Sequence, residues 1–371
     1  MIEGSDLLFL RRCVELAGKG LYSVTENPRV GCLLVKNGDV LGRGWHRRRG
    51  ELHAEAAALA DARASGRSTA GATAYVSLEP CCHTGRQPPC TAALIDAGIK
   101  RVVGAMTDPD PRVAGEGYAT LRAAGIAVET VELQEALQLN RGFVRRITTG
   151  LPFVRIKIGA SIDGRTAMAS GQSQWITGPD ARADVQRYRA QSCAIVTGRG
   201  TVALDDPALT VRGEQFAVDG IIRQPLRVVA DTHGTTPPEA RLFATGSPVY
   251  LATGRHAPDH PQAQMLRQEA SRVEPGHLLQ TLAEMGCNEV LVEAGATFAG
   301  TLLEANLWDE AVLYLAPNWL GETARPMAAV SFDHLADSIG GKLVAAEPLG
   351  TDVKVVLAND SHTGHAKGMR G

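Results

Sequence analysis

The chain has 371 residues, with 38 Lys+Arg against 40 Asp+Glu, a formal charge of −2 and 44% hydrophobic residues. This is ordinary globular composition, which excludes a disordered chain and, at roughly 100–200 residues per domain, predicts two domains. The missing basic excess argues against a surface that tracks nucleic-acid phosphates, and no apolar run approaches the roughly 18–20 residues that cross a bilayer. The short apolar cluster 7–10 carries its positive charges, Arg11 and Arg12, after it rather than before it, so it does not read as an export signal. Seven cysteines, an odd number, predict reduced thiols and a cytoplasmic location rather than a disulfide framework.

Apolar residues at helical spacing predict a helix over 6–17, capped by Ser5. Strands over 30–36 and 40–44 flank Asn37-Gly38, a hairpin signal because both positions tolerate positive φ. A helix over 53–64, a strand over 73–78, a helix over 91–97, a strand over 101–106 and a helix over 116–124 complete a β-β-α-β-α-β-α order. That order implies a helix-covered sheet whose neighbours are parallel wherever a helix intervenes. A domain boundary is read near residue 148, where a helix ends on the basic run 141–146, Thr148-Thr149-Gly150 is turn-prone and Pro152 opens a strand over 153–158. Beyond it strands are predicted at 194–197, 226–230, 248–252, 289–293, 311–316 and 353–357, and helices at 180–190, 278–285 and 297–306. Residues 215–223 and 255–275 read as loops. The expected domains are therefore 1–147 and 148–358, with 359–371 a disordered tail.

His53-Ala54-Glu55 opens one predicted helix, and the strand 73–78 runs into Glu79-Pro80-Cys81, with Cys90 eight intervening residues later. A catalytic zinc takes three protein ligands and leaves the fourth position to water, and one His with two Cys thiolates is such a set. The metal brings the pKa of that water toward about 7. Glu55, on the same helix turn as His53, reaches the water without touching the metal and can carry protons to a departing amine. His-x-Glu…Pro-Cys…Cys is the arrangement of zinc deaminases, although a longer loop here replaces the usual two-residue spacer between the cysteines. A structural zinc site with His83 as fourth ligand is the alternative. Cys82 is expected to be a bystander, and Cys13, Cys32, Cys193 and Cys287, scattered among apolar neighbours, are expected in the core.

The second half has no Gly-x-Gly-x-x-Gly fingerprint, and Gly198-Arg199-Gly200 by itself reads as a turn. Glu293-Ala294-Gly295-Ala296-Thr297 follows a buried strand and opens a helix whose N–H groups can hold a cofactor phosphate. Lys157, on an otherwise apolar strand, is either partnered or functional.

Asn27-Pro28-Arg29-Val30-Gly31-Cys32, Glu79-Pro80-Cys81 through Pro88-Pro89-Cys90, the run 157–165, Ser173-Gln174-Trp175-Ile176-Thr177, the run 201–212 and Val292-Glu293-Ala294-Gly295 together resemble the bifunctional riboflavin-biosynthesis deaminase/reductases. The resemblance spans nearly the whole chain. It implies a cytidine-deaminase-like three-layer α/β domain followed by a dihydrofolate-reductase-like α/β domain, with zinc and NADPH as cofactors. It implies small phosphorylated pyrimidines as partners, not nucleic acid or membrane. His53, Cys81 and Cys90 become the zinc ligands, Glu55 the catalytic proton carrier, and Asn27 a hydrogen-bonding partner of the pyrimidine. The implied NADP contacts are Gly159, Trp175, Thr201, Asp205, Thr232, Gly295, Ala296, Thr297, Phe298, Ala299, Gly300 and Thr301, and the implied substrate contacts are Ser173, Arg189, Leu209, Arg212 and Glu293. Arg189 and Arg212 suit a ribose 5-phosphate, with plain surface charges as the alternative, and Trp175 is either a cofactor contact or core.

The implied chemistry is deamination of 2,5-diamino-6-(5-phosphoribosylamino)pyrimidin-4-one by a zinc-activated hydroxide. NADPH-dependent reduction of the ribosyl group of 5-amino-6-(5-phosphoribosylamino)uracil to ribityl follows. A nucleic-acid base deaminase and a non-catalytic zinc protein are the rival readings. Strands 311–316 and 353–357 are apolar enough to join copies into a homo-oligomer.

Overall fold

A computed structural model describes residues 2–84, 87–111 and 113–363. Packing divides the chain into two units, Met1–Gly150 with Ala217–Ile221, and Leu151–Phe216 with Ile222–Gly371.

The first unit runs α1 (Gly4–Gly18), β1 (Gly31–Lys36), β2 (Asp39–Trp45), α2 (Ala54–Ala64), β3 (Thr73–Val76), α3 (Cys90–Asp96), β4 (Arg101–Gly104), α4 (Glu116–Ala123), β5 (Ala127–Thr130), α5 (Gln134–Leu139) and α6 (Arg141–Thr149). The five strands form one sheet in the order β2-β1-β3-β4-β5, antiparallel up to β3 and parallel beyond it. Asn37 and Gly38, at φ 54° and 86°, make the tight turn between β1 and β2. Strand β1 is apolar on both faces because both are covered. Leu33 and Val35 pack with Leu10 and Cys13 of α1, while Cys32 and Leu34 pack with Ala54, Ala58 and Ala62 of α2. The result is three layers, helix on sheet on helix.

Helix α1 is capped differently from the expectation. Ser5 lies inside its first turn; the N-cap is Glu3, whose N–H donates to the Asp6 carboxylate at 2.8 Å. Strand β5 was not legible, since Ala-Val-Glu-Thr at a sheet edge is neither alternating nor strongly apolar. Residues 217–221 also belong to this unit. Their turn places Asp219 3.1 Å from the Arg47 guanidinium.

The second unit runs β6 (Phe153–Ser161), β7 (Arg165–Ala167), α7 (Pro179–Gln191), β8 (Ala194–Gly198), α8 (Arg199–Asp205), β9 (Leu226–Ala230), β10 (Val249–Thr253), β11 (Gln264–Arg267), α9 (Pro275–Glu284), β12 (Glu289–Val292), α10 (Ala296–Glu304), β13 (Glu310–Ala316), β14 (Arg325–Pro326), β15 (Lys342–Leu349), β16 (Asp352–Ala358) and α11 (Asp360–Thr363). Its large sheet has the order β11-β10-β9-β8-β12-β6-β13-β16-β15, parallel from β11 to β13 and antiparallel beyond. The middle strand β12 is buried on both faces, with Val290 and Val292 in one cluster and Leu291 in the other. The parallel strands present their C-terminal ends to one edge, where open α/β sheets bind ligands. No helix among the described residues is long and apolar enough to cross a membrane.

Three expectations are corrected here. The span 255–275 contains β11, a parallel edge strand too short and polar to show a period. The tail begins folded: the Asn359 side chain, buried, donates to Asn306 Oδ1 at 2.7 Å and to the Trp308 carbonyl at 2.8 Å, and α11 follows. Residues 364–371 lie outside the described residues. Strands 311–316 and 353–357 are not free for an interface through their edges, because β13 is paired by β6 and β16, and β16 by β15.

The buried Asp6 carboxylate also accepts the Tyr75 hydroxyl at 2.7 Å and a bidentate Arg101 guanidinium at 2.7 and 2.9 Å, so one residue joins α1, β3 and β4. The Arg101 bonds hold its carboxyl well below the usual carboxylate range. A depressed folded-state pKa contributes stability above the unfolded value of about 3.9, and that contribution fades as pH falls below it. Asp6→Asn is expected to lower the stability of the first unit by about 2–3 kcal/mol at neutral pH. Urea titrations should show the gap between variant and wild type closing below about pH 4, and a gap that stays constant with pH would contradict the assignment.

Candidate active sites

Strand β2 carries Gly42 and Gly44 where α2 crosses it. A Cβ on Gly44 would lie 2.2 Å from the Ala54 carbonyl oxygen, and one on Gly42 2.2 Å from that of Ala58. This contact fixes the start of α2, where His53 is the N-cap and Glu55 sits in the first turn. Opposite, β3 leads to Glu79, a buried carboxylate that accepts backbone N–H groups of Asp108 at 3.1 Å, Gly115 at 2.9 Å and Tyr118 at 3.2 Å. Those bonds tie the strand exit bearing Cys81 to the start of α4. Cys90 is the first residue of α3, and its N–H points to Cys81 Sγ at 3.4 Å. Two helix N-termini therefore meet at one strand exit, a setting that favours thiolate charge.

His53 Nδ1 is 3.3 Å from Cys90 Sγ and 3.6 Å from Cys81 Sγ, and the three ligand atoms all lie within 4.8 Å of one another. Tetrahedral zinc with bonds of about 2.0 Å to nitrogen and 2.3 Å to sulfur sets ligand–ligand edges of roughly 3.5 Å, so the triangle fits the ion. Contacts from Cys90 and His53 bring the Cys81 thiol down to about 4, while the same contact from Cys81 raises that of Cys90; a cation between them would take both as thiolates. Among the described residues Cys82 and His83 are outside the cluster.

Glu55 is 3% exposed, and burial, followed by the nearby Cys81, raises its carboxyl to about 7. Asn27 meets a residue that the sequence did not single out. The buried His46 has Nδ1 3.1 Å from the Leu52 carbonyl and Nε2 3.0 Å from Asn27 Nδ2. A carbonyl only accepts, so Nδ1 carries the proton and Nε2 accepts from the Asn27 amide, which fixes that amide's orientation. Burial also lowers the pKa of His46, consistent with the neutral ring this requires.

At the C-terminal edge of the large sheet lies a cavity of about 1510 Å³. It is lined by Gly159, Ser173, Trp175, Arg189, Thr201, Asp205, Leu209, Arg212, Thr232, Glu293, Gly295, Ala296, Thr297, Phe298 and Thr301. Ala299 and Gly300 are not on its wall: Ala299 is packed into the core, and a Cβ on Gly300 would meet the Ala329 carbonyl oxygen at 2.4 Å. Trp175 is 70% exposed and therefore not core. Arg189 donates Nε and Nη2 to the two Glu293 oxygens at 2.6 and 2.9 Å, and Nη1 to the Thr210 carbonyl at 3.1 Å. Burial disfavours the Glu293 charge, but Arg189, Lys157 and Arg212 outweigh it and hold that carboxyl below its ordinary range. Burial lowers the pKa of the Lys157 ammonium in turn. The N-terminus of α10, with Gly295 as its cap, opens onto the cavity with no side-chain cap bond. A phosphate fits such an end. Sequence reading overlooked Arg182, Val185 and Gln186, which line the cavity beside Arg189; their i, i+3, i+4, i+7 spacing along α7 was the available signal.

Residues 4–106 match the family model described as cytidine and deoxycytidylate deaminase zinc-binding region, and residues 152–355 match that of the RibD C-terminal domain. The chain is 44% identical to the riboflavin biosynthesis protein RibD of Haemophilus influenzae, over 96% of this chain and 98% of that one. It is 43% identical to the Escherichia coli protein of the same name, over 94% and 98%. The structure of Acinetobacter baumannii RibD superposes with a TM-score of 0.88 at 41% identity, covering 95% of this chain and 98% of that one. A Thermotoga maritima diaminohydroxyphosphoribosylaminopyrimidine deaminase/5-amino-6-(5-phosphoribosylamino)uracil reductase superposes with a TM-score of 0.86 at 31% identity, over 96% and 99%. With a cytidine-deaminase-like domain leading into a reductase domain of dihydrofolate-reductase-like fold, the chain belongs to the RibD family of bifunctional riboflavin-biosynthesis enzymes, zinc-dependent deaminases joined to NADPH-dependent reductases.

Proposed function

We propose that residues 1–147 carry the deaminase step and 148–358 the reductase step, each through the side chains gathered above. The deaminase reading is carried by the three-ligand triangle with the buried Glu55 beside it. Zinc bound there supplies a Lewis acid that makes water a nucleophile near neutral pH. Glu55, buried beside the ligand triangle, takes a proton from the attacking water and delivers it to the departing amine, so that C–NH₂ and water become C=O and ammonia. Asn27, its amide set by His46, orients the pyrimidine.

NADPH held in the second unit would supply hydride to C1 of the ribosyl group, while the bond from C1 to the ring oxygen breaks and that oxygen takes a proton from solvent, leaving ribityl and NADP+. The α10 N-terminus seats a cofactor phosphate, with Gly159, Thr201, Asp205 and Thr232 along the same wall. Ser173 donates to Asp205 Oδ1 at 2.6 Å, bringing a substrate-side residue and a cofactor-side residue together. With three of its donors given to Glu293 and Thr210, Arg189 orders the wall at the sugar. Arg212 keeps an exposed guanidinium for the sugar phosphate. Small phosphorylated pyrimidines fit these groups. A cytoplasmic location is inferred from the odd number of cysteines, which does not suit a disulfide framework.

Strand β15, paired among the described residues only with β16, exposes Leu343 and Val344, and Leu335 nearby in sequence is 90% exposed. A second copy of the chain is the occupant we assign to this face.

Glu55→Gln should retain zinc by metal analysis yet release ammonia at least 100-fold more slowly; unimpaired release would remove Glu55 from the mechanism. Stripping the metal with a chelator should abolish deamination while NADPH oxidation on pre-deaminated substrate continues, and loss of both would argue against independent sites. Light scattering at micromolar concentration should give twice the 39.3 kDa chain mass. Leu343→Asp with Val344→Asp should return a single chain, whereas a monomeric wild type would reject the assembly.

A further inference from the structure

We propose that Arg182 is a positioning residue for the cofactor, clamping the Trp175 indole at the reductase cavity in the orientation that receives NADPH. This rests on the reading that NADPH occupies that cavity. Large aromatic rings normally keep most of their surface from water, yet Trp175 is exposed on the cavity wall. The Arg182 guanidinium lies 4.5 Å from the centroid of its ring, inside the range of about 6 Å for a cation–π contact. Its Nη1 also donates to the Thr177 carbonyl at 2.6 Å. One guanidinium thus holds the ring and the backbone two residues on.

The segment is tied at both ends. Ser173 Oγ donates to Asp205 Oδ1 at 2.6 Å, and Thr177 lies against β6, where a Cβ on Gly159 would come within 3.3 Å of its Cγ2. Between these anchors Arg182 sets how the indole faces the cavity. A lysine keeps the charge but lacks the plane that stacks and donates at once.

The test uses the full chain. NADPH affinity is measured by calorimetry for wild type, Arg182→Ala, Arg182→Lys, Trp175→Ala and the Arg182→Ala/Trp175→Ala double variant, with circular dichroism and thermal unfolding of the same chains as the control for folding. Expected are a roughly 5- to 30-fold weaker NADPH dissociation constant for Arg182→Ala, a higher KM for NADPH with kcat within about twofold, and only partial recovery in Arg182→Lys. The double variant should bind no more weakly than Trp175→Ala alone, because Arg182 acts through the ring. Additive losses in the double variant, or wild-type affinity in Arg182→Ala, overturn the clamp while leaving NADPH in the cavity. Wild-type affinity in Trp175→Ala likewise overturns the clamp alone, whereas no NADPH binding by the wild type overturns the cavity reading and the clamp with it.

Discussion

Helix α2 crosses β2 so closely that no side chain fits between them, and the proposed metal site depends on that approach. Gly42 and Gly44 bring strand and helix backbones together, and the alanine-rich sequence of α2 lets it sit flat on the sheet. With the helix axis set in this way, His53 and Glu55 need only their positions at its start to face the strand exit. The partner half of the site is set by another device, the Glu79 carboxylate, which gathers three backbone donors beneath Pro80-Cys81. The proposed ligand triangle, with edges of 3.3 and 3.6 Å, therefore rests on a close backbone approach and one buried carboxylate, the rigidity that a three-ligand site needs if its open position is to stay open.

The cavity proposed as the reductase site uses parallel strands instead. Because β8, β9, β12 and β6 end along one edge, short loops after each strand converge there without a glycine-rich fingerprint. Positive charge is concentrated at the strand ends and partly compensated within the wall: Arg189 is paired with Glu293, and Lys157 lies between them electrostatically. The near-neutral net charge of the chain is thereby reconciled with anionic ligands, since the basic groups that matter are local.

Much of this was legible in sequence where chemistry and period coincide. His53, Glu55, Cys81 and Cys90 stand out because few other arrangements put those residue types at helix and strand ends, and the hairpin at Asn37-Gly38 follows from the φ angles those residues tolerate. The rest was hidden for identifiable reasons. His46 acts through one ring nitrogen on a distant amide, a relation that local sequence spacing does not encode. Arg182 looks like any helix-surface arginine until the fold puts Trp175 under it. Strands β5 and β11 lie at sheet edges, where polar residues are tolerated and the alternating signal disappears. Ala299 and Gly300 share a helix turn with cavity residues, but 3.6-residue geometry sends them to the core side.

The short turn at Asp219 bears on how separable the two catalysts are. Residues 217–221 come late in the chain yet are packed as part of the first unit, with Asp219 beside Arg47 and Arg48. The two domains follow one another along the chain, but the folded partition is not linear, since residues 217–221 return to the first unit. A deaminase fragment ending at residue 150 would lose the partners that Arg47 and Arg48, in the loop joining β2 to α2, find at Val218 and Asp219. Splitting the two steps into separate proteins would turn those guanidinium groups to solvent, whereas one chain keeps them paired.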